Sequence, residues 1–451
     1  MFALVDVNNM YVSCERVFNP QLAGKPLVVL SSNDGACIAR SNEAKDLGIQ
    51  MAQPWFQVRR LVKSKGLVAL SANFELYADM SSRMMAITAR FTPVAIPYSI
   101  DEAFLDFEGI PGDLTEICRE LRATVLKELG LPTSVGLANT KTLAKLANHI
   151  AKTCDRKPTV YGAEMSARLS QVCNFAELRE AELEALMCRT DVGDVWGVGR
   201  KIGEKLRAGG VKTVLDLVRA DAATLRREFS VVFEKTVLEL RGQPCMGVEE
   251  APSAKQQILV SRSFGKPVTH LEGIEEAVSE FASRASEKLR LQDSMAGAIQ
   301  VFIATSPFRA NDRQHSPSMT VPVRPTADSR HLVGAAVRAA REMFRSGFNY
   351  TKAGCMLLDL QDKQAAAQQS ELDLFAEPEP QTPAAGQAKD RSALMDAMDS
   401  LNRRFGRGAV RIGSATTAVA NDSGAASWSV KQDRRTPRYT TRWDEIPRVR
   451  C

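Results

Sequence analysis

The chain has 451 residues, 44% hydrophobic and 25% charged, which is enough for several domains with substantial cores and is the profile of a soluble globular protein. Nine cysteines, odd in number and without a C-x-x-C pair, exclude a disulfide framework and a zinc site and point to a reducing, cytoplasmic setting. The N-terminus lacks a basic leader and no apolar run approaches ~18 residues, so neither a signal peptide nor a membrane span is expected.

The net charge of +6 resides in the tail, because residues 388–451 hold 13 Lys and Arg against 7 Asp and Glu. The rest of the chain is close to neutral, so any nucleic-acid groove must come from local clustering rather than a global field. Taken in order, residues 2–5 read as a buried strand that delivers Asp6 at its end. A Gly24-Lys25-Pro26 turn precedes a strand over 27–30 and a small-residue loop over 31–36. Residues 77–90 read as an amphipathic helix.

Residues 94–100 form an apolar, β-prone run and 103–107 a returning one, with Asp101 and Glu102 at the tip between them. Neighbouring residues of a strand face opposite sides of a sheet, so a turn is what can bring both carboxylates together. Close carboxylates repel unless a cation sits between them. With Asp6 on a neighbouring strand, the set meets the needs of a two-metal phosphoryl-transfer site with oxygen ligands for Mg²⁺. Taken alone, such a pair is usually just a solvated turn.

Downstream, Leu114, Ile117, Cys118, Leu121, Val125 and Leu129 share one face of a helix over 114–129. A strand over 133–138 and a helix over 142–150 follow, and the pattern is then helical from 165 to 247. Within it, residues 195–206 have the form of a helix-hairpin-helix. Gly197 and Gly199 let the turn approach a phosphate, the next helix offers its N–H groups, and Arg200 and Lys201 add sequence-independent charge. An ordinary hairpin of two helices would explain the glycines but not the two cations. After a linker at 252–257 come 258–263, 274–291, 296–305, 318–323, 329–345 and 352–360, in βαββαβ order. Beyond 360 the composition turns to Gln, Ala, Pro and Glu, with 376–387 expected to be disordered. In Glu371-Leu372-Asp373-Leu374-Phe375 the apolar side chains have no core to enter, which marks a partner-binding peptide.

Asp6-Val7-Asn8-Asn9-Met10-Tyr11 together with Ser99-Ile100-Asp101-Glu102 resembles the Y-family, lesion-bypass DNA polymerases. Asn33-Asp34-Gly35, residues 73–81 and residues 140–148 support the resemblance, which runs end to end. It implies an α+β, multidomain right-hand polymerase: palm 1–10 and 74–164 with helices on one face of its sheet, fingers 11–73, helical thumb 165–247 and little finger 255–362. A linker with a clamp-binding peptide, 363–387, and a basic, partly disordered tail, 388–451, complete it. Asp6, Asp101 and Glu102, with the Val7 carbonyl, are implied to hold two Mg²⁺ ions, Mn²⁺ being an alternative.

The resemblance also assigns Tyr11 as the ring beneath the sugar that excludes a ribose 2′-hydroxyl; without it, Tyr11 is an ordinary half-buried aromatic. Ala36 and Ile38 are implied to lie over the nascent base pair, and Lys45 and Lys152, the second after the 142–150 helix, on the triphosphate. Asn42 stands where the family commonly has tyrosine. Arg262 and Ser263 fall where the little finger meets template backbone. Residues 371–375 resemble the peptide by which bacterial polymerases dock on the sliding clamp, with Glu371 in place of the usual glutamine. Residues 437–442 resemble the tail of a bacterial branch whose partners are a processed UmuD dimer and a RecA filament. From its residues the tail is a solvated arm or a contact for accessory protein or DNA.

The implied activity is error-prone, template-directed synthesis across damaged DNA in the SOS response, from primer-template DNA and dNTPs. Two rivals stand beside it. A catalytically inactive scaffold of the same family should have lost one of the three carboxylates, and all are present. A metal-dependent nucleotidyl cyclase would leave the helix-hairpin-helix, the βαββαβ segment and the clamp peptide without a use.

Overall fold

The computed structural model describes residues 1–247, 254–309, 311–363, 392–406, 408–413 and 428–446. They fall in two compact units, one of residues 1–31, 35–250 and 434–451, the other of 32–34 and 251–433. The clamp-like peptide 371–375 and the segment 376–387 lie outside the described residues. No helix among the described residues is long and apolar enough to cross a membrane.

In the first unit β1 (Phe2–Val7) leads through α1 (Met10–Phe18) into a small sheet of β2 (Leu27–Leu30), β3 (Cys37–Arg40) and β4 (Val68–Ser71), with α2 (Asn42–Asp46) between β3 and β4. Then come α3 (Phe74–Thr88), β5 (Val94–Pro97), β6 (Glu102–Asp106), α4 (Leu114–Leu129), β7 (Thr133–Ala138) and α5 (Lys141–Arg156). The two long helices start where their caps dictate. The Asp113 carboxylate accepts from the N–H groups of Thr115 and Glu116, and the Thr140 hydroxyl from that of Leu143. Gly130, at φ 71°, then ends α4 in a left-handed turn. A further strand, β8 (Val172–Asn174), lies in the stretch that the pattern predicts to be helical throughout. Three residues are too few to register as a period, yet all three are buried and run parallel to β7.

The resulting sheet has the order β5-β6-β1-β7-β8. Its alternation decides everything around the site. Ala3, Val5, Val7, Ala103 and Leu105 pack with Leu76 and Met80 of α3 and Cys118, Leu121 and Val125 of α4. Leu4 and Phe104 face the other way, onto Ala144, Ala147, Ile150 and Ala151 of α5. The expectation of helices on one face is therefore corrected to a sheet covered on both, because β1 and β7 are buried on both sides. The approach of α5 is unusually close: Asn148 donates its side-chain amide to the Ser134 carbonyl at 2.8 Å and to that of Leu4 at 3.3 Å.

The helical part of this unit includes α6 (Glu180–Arg189), α7 (Arg200–Ala208) and α8 (Val231–Leu240). Glu239 of α8 is buried and accepts from the backbone N–H and hydroxyl of Thr142 at 2.9 and 2.8 Å. It also accepts from the N–H groups of Cys245 and Met246 at 3.1 and 2.9 Å. One carboxylate thus joins α8 to the first turn of α5, where a negative charge also meets the positive end of the helix dipole.

The second unit holds β9 (Ile258–Val268), α9 (Leu271–Leu291), β10 (Ser294–Thr305), β11 (Ser318–Thr326), α10 (Ser329–Met343) and β12 (Tyr350–Asp362), in the expected βαββαβ order. Its antiparallel sheet has the order β11-β10-β12-β9. Ile274, Val278 and Phe281 of α9 and Leu332 and Ala336 of α10 cover it. A tail helix, α11 (Ser392–Phe405), joins this unit by burying Met395 and by a two-point ion pair from Arg290 to Asp399 at 2.6 and 2.8 Å. The last described tail residues, 434–446, belong to the first unit.

Gly136 of β7 is where α5 and the sheet meet most tightly. A Cβ there would stand 2.1 Å from the backbone nitrogen of Asn148 and 2.3 Å from the Ala144 carbonyl oxygen. Backbone cannot give way as a side chain can, so Gly136→Ala should cost about 3 kcal/mol or more. That corresponds to a fall in Tm of roughly 6–12 °C, read by thermal unfolding; an unchanged Tm would show that α5 can lift from the sheet.

Candidate active site

The site forms where β1, β6 and the β5–β6 turn meet. β1 and β6 run antiparallel with Asp6 opposite Glu102, and the Val7 N–H donates to the Asp101 carbonyl at 2.9 Å. By alternation Asp6 shares the face of Leu4, and Glu102 that of Phe104, which is the face covered by α5. Asp101 stays in the turn, where the Ser99 hydroxyl donates to its carboxylate at 2.6 Å. The reading of a strand, a reversal and a returning strand thus holds, with Glu102 as the first residue of the return.

Two cations of α5 answer the carboxylates. Lys152 approaches Asp6 at 2.5 Å and Lys145 approaches Glu102 at 3.0 Å. Their spacing of seven residues is two helical turns, so both stand on one side of α5. Lys152 lies inside α5 rather than after it, a correction to the expectation of a helix ending at 150. The helix continues until Lys157, where the following Pro158 disfavours the helical conformation. Lys145 also lies over the rings of Tyr98 and Trp196 at 4.3 and 5.1 Å, and the Trp196 indole donates to the Tyr98 hydroxyl at 3.2 Å.

A cleft of about 310 Å³ opens beside these groups, lined by Asp6, Val7, Tyr11, Ile38, Lys45, Asp101 and Lys152 among the expected residues. Asn9, Arg40 and Ile100 join them without having been singled out in the sequence. Lys45 donates to the Asn9 side chain at 2.6 Å, and Asn9 donates to Asn42 at 3.2 Å, which places Asn42 just outside the cleft. Asn9 sits at φ 51°, a left-handed conformation that asparagine tolerates better than most residues. Ala36 does not line the cleft; its carbonyl and N–H are both engaged by Ser31.

The electrostatics fit an anion with several charges. Burial pushes the Asp6 carboxyl up to about 7 against the pull of Lys152, and Glu102 and Asp101 push it the same way. Burial, with Arg156, Arg40 and Lys152 nearby, pulls the Lys45 ammonium down to about 8. An anionic ligand bearing phosphates would relieve that crowding of cations. Tyr11 forms one wall. Its ring stacks on Tyr77 at 4.4 Å and 14°, and meets the Phe74 ring edge-on at 6.0 Å.

The donor set is oxygen only, which suits a hard divalent ion. Among the described residues no trio of His, Cys, Asp or Glu converges as the side chains stand, because Glu102 is turned toward Lys145. The crowded carboxylates, one of them buried and two of them, Asp6 and Glu102, each answered by an ammonium group, nevertheless fit cations in kind and charge.

The other expected residues lie elsewhere. Gly197 has φ 88° and so requires glycine, whereas Gly199 caps α7 in an ordinary conformation with open space above it. Arg200 is largely exposed, as is Lys201. Arg262 and Ser263 are exposed on β9 in the second unit. Lys145 was the residue with a readable signal, since it stands on the α5 face seven positions before Lys152.

Comparison with known proteins agrees with this geometry. The family model described as impB/mucB/samB matches residues 5–149, its C-terminal domain model matches 255–372, and a domain of unknown function matches 392–449. The chain is similar to the UmuC protein of Salmonella typhimurium, at 44% identity over the whole of both chains. It is also similar to DNA polymerase IV 1 of Bacillus subtilis, at 27% identity over 91% of each chain. Among solved structures, a Y-family DNA polymerase chimera matches at a TM-score of 0.61 and 18% identity, covering 80% of this chain and all of that one. With a full-length relative at this identity and a shared architecture, the chain belongs to the impB/mucB/samB family and has the fold of a Y-family DNA polymerase.

Proposed function

We infer that this chain is an error-prone, template-directed DNA polymerase acting in bypass of damaged DNA. The observation that carries the reading is the pairing of Asp6 with Glu102 beside Asp101, at the mouth of a cleft that also presents Lys45, Lys152 and Tyr11. A scaffold without activity has no need to keep three carboxylates crowded together against their repulsion.

Asp6, Asp101 and Glu102, with the Val7 carbonyl, would hold two divalent ions, Mg²⁺ or Mn²⁺. When bound, the ions would favour ionisation of the primer 3′-hydroxyl and neutralise charge on the phosphates. Lys45 and Lys152 bind the triphosphate, with Asn42 at the rim, and orient its α-phosphate toward the primer end. The Tyr11 ring fills the space that a ribose 2′-hydroxyl would need. Ile38 lines the cleft beside the base, with Ala36 in the loop before it. Gly197, Gly199, Arg200 and Lys201 grip duplex backbone, and Arg262 and Ser263 grip the template, without reading sequence. The partners are primer-template DNA and dNTP, a sliding clamp docked through residues 371–375, a processed UmuD dimer and a RecA filament, and the setting is the cytoplasm.

Primer extension past an abasic template site, with and without processed UmuD and RecA filament, tests the reading. Asp101→Asn should lower extension by roughly a hundredfold or more while primer-template affinity stays near wild type. Retention of more than a few per cent of the rate at saturating Mg²⁺ would overturn the metal assignment. Leu374→Ala with Phe375→Ala should remove stimulation by a loaded clamp on primed circular DNA and leave extension of a short oligonucleotide unchanged. Clamp capture equal to wild type would place the docking site elsewhere.

A further inference from the structure

Tyr77 is fully buried, and its hydroxyl must find a partner inside the protein. It donates to the Glu15 carboxylate at 2.6 Å, and Glu15 is itself only 1% exposed. The same carboxylate oxygen accepts from the Thr436 hydroxyl at 3.1 Å, across 421 positions of sequence. Tyr77 is also the ring on which Tyr11 lies nearly parallel. A continuous contact therefore runs from the C-terminal tail through Glu15 and Tyr77 to the wall of the cleft.

The surrounding contacts fix the tail in place. The Asn73 amide, one residue before α3, donates to the carbonyls of Thr436 and Pro437 at 3.1 and 3.0 Å. Tyr439 stacks on Phe18, the last residue of α1, at 4.7 Å and 8°. Arg438 reaches Glu75 of α3 at 3.1 Å and Glu445 of the tail at 3.0 Å. Tyr11 and Glu15 stand on α1 and Tyr77 on α3, so the tail spans both helices that carry the stacked pair.

We propose that residues 434–439 act as a positioning strap, in which Thr436, through Glu15 and Tyr77, holds the Tyr11 ring at the angle that rejects ribonucleotides. The inference rests on the reading of Tyr11 as the sugar-excluding ring. The chemistry is selective for geometry rather than rate. Loss of the Thr436 hydroxyl leaves the Glu15 carboxylate with one donor fewer, and a shifted Glu15 frees the Tyr77 hydroxyl and lets its ring turn beneath Tyr11. A tilted Tyr11 opens room at the sugar 2′ position without touching the carboxylates or Lys152.

The test measures single-nucleotide insertion of dCTP and rCTP opposite template G by the purified full-length chain, comparing kcat/KM ratios together with Tm. Tyr11→Ala serves as the reference for complete loss of sugar discrimination. Thr436→Val, which keeps the shape and removes the hydroxyl, should lower discrimination about three- to tenfold by raising rCTP insertion, with dCTP insertion near wild type. Tyr77→Phe should do the same, and Thr436→Ser should restore wild-type discrimination. If Tyr11→Ala abolishes discrimination while Thr436→Val and Tyr77→Phe leave it intact, the strap is refuted and the sugar-excluding ring stands. A Thr436→Val variant that lowers Tm and slows both nucleotides equally has lost only stability, and this also refutes the proposal. If Tyr11→Ala itself discriminates like wild type, the underlying reading of Tyr11 fails and the strap falls with it.

Discussion

Antiparallel pairing of β1 with β6 is the constraint on which the site depends. It sets Asp6 opposite Glu102 on one face of the sheet, so two like charges are held close by the backbone ladder. Such an arrangement is unfavourable by itself and persists because cations are supplied from the same side. Lys152 and Lys145 come from one face of α5, and α5 can deliver them because Gly136 admits its backbone against β7. Charge balance at the site and packing of the five-stranded sheet are thus parts of one arrangement.

That arrangement also accounts for the two-sided cover of the sheet. Helices α3 and α4 bury the face bearing Val5 and Leu105 in an apolar core. Helix α5 covers only part of the opposite face, and its partly buried lysines, Lys145 and Lys152, reach past the covered area to the carboxylates. The first turn of α5 is fixed to the helical region through Glu239, so the elements expected to hold DNA and those expected to hold nucleotide meet at one helix.

Much of this could be read from the sequence. Asp6, Asp101 and Glu102 were legible because a strand of period two makes its end residues predictable, and a turn between two apolar runs is a local event. The βαββαβ succession was legible from the order of its apolar segments, although the strands at 296–305 and 352–360 alternate poorly. Strand β8 was not, because three residues carry no period, and the sidedness of the sheet was not, because β1 and β7 are buried along nearly their whole length and lack an exposed polar face. Lys145 could have been found by counting two helical turns back from Lys152. Thr436 could not: its partners Glu15 and Asn73 lie more than 360 residues away, and no local pattern encodes contacts between a tail without regular structure and a distant helix.

The placement of residues 434–446 with the first unit makes the second unit an insertion within the first. During synthesis the unit that carries the candidate site is therefore begun first and completed last. At about 5–20 residues per second, roughly 10–40 s separate the emergence of residue 250 from that of residue 434. Through that interval the edge of β4, which finally pairs with Arg434 through Ser71, and the aromatic face of Phe18 wait without their tail. A chain broken off before its last score of residues would carry the three carboxylates of the candidate site on an unfinished scaffold. Its unpaired strand edge would be a template for pairing with other chains.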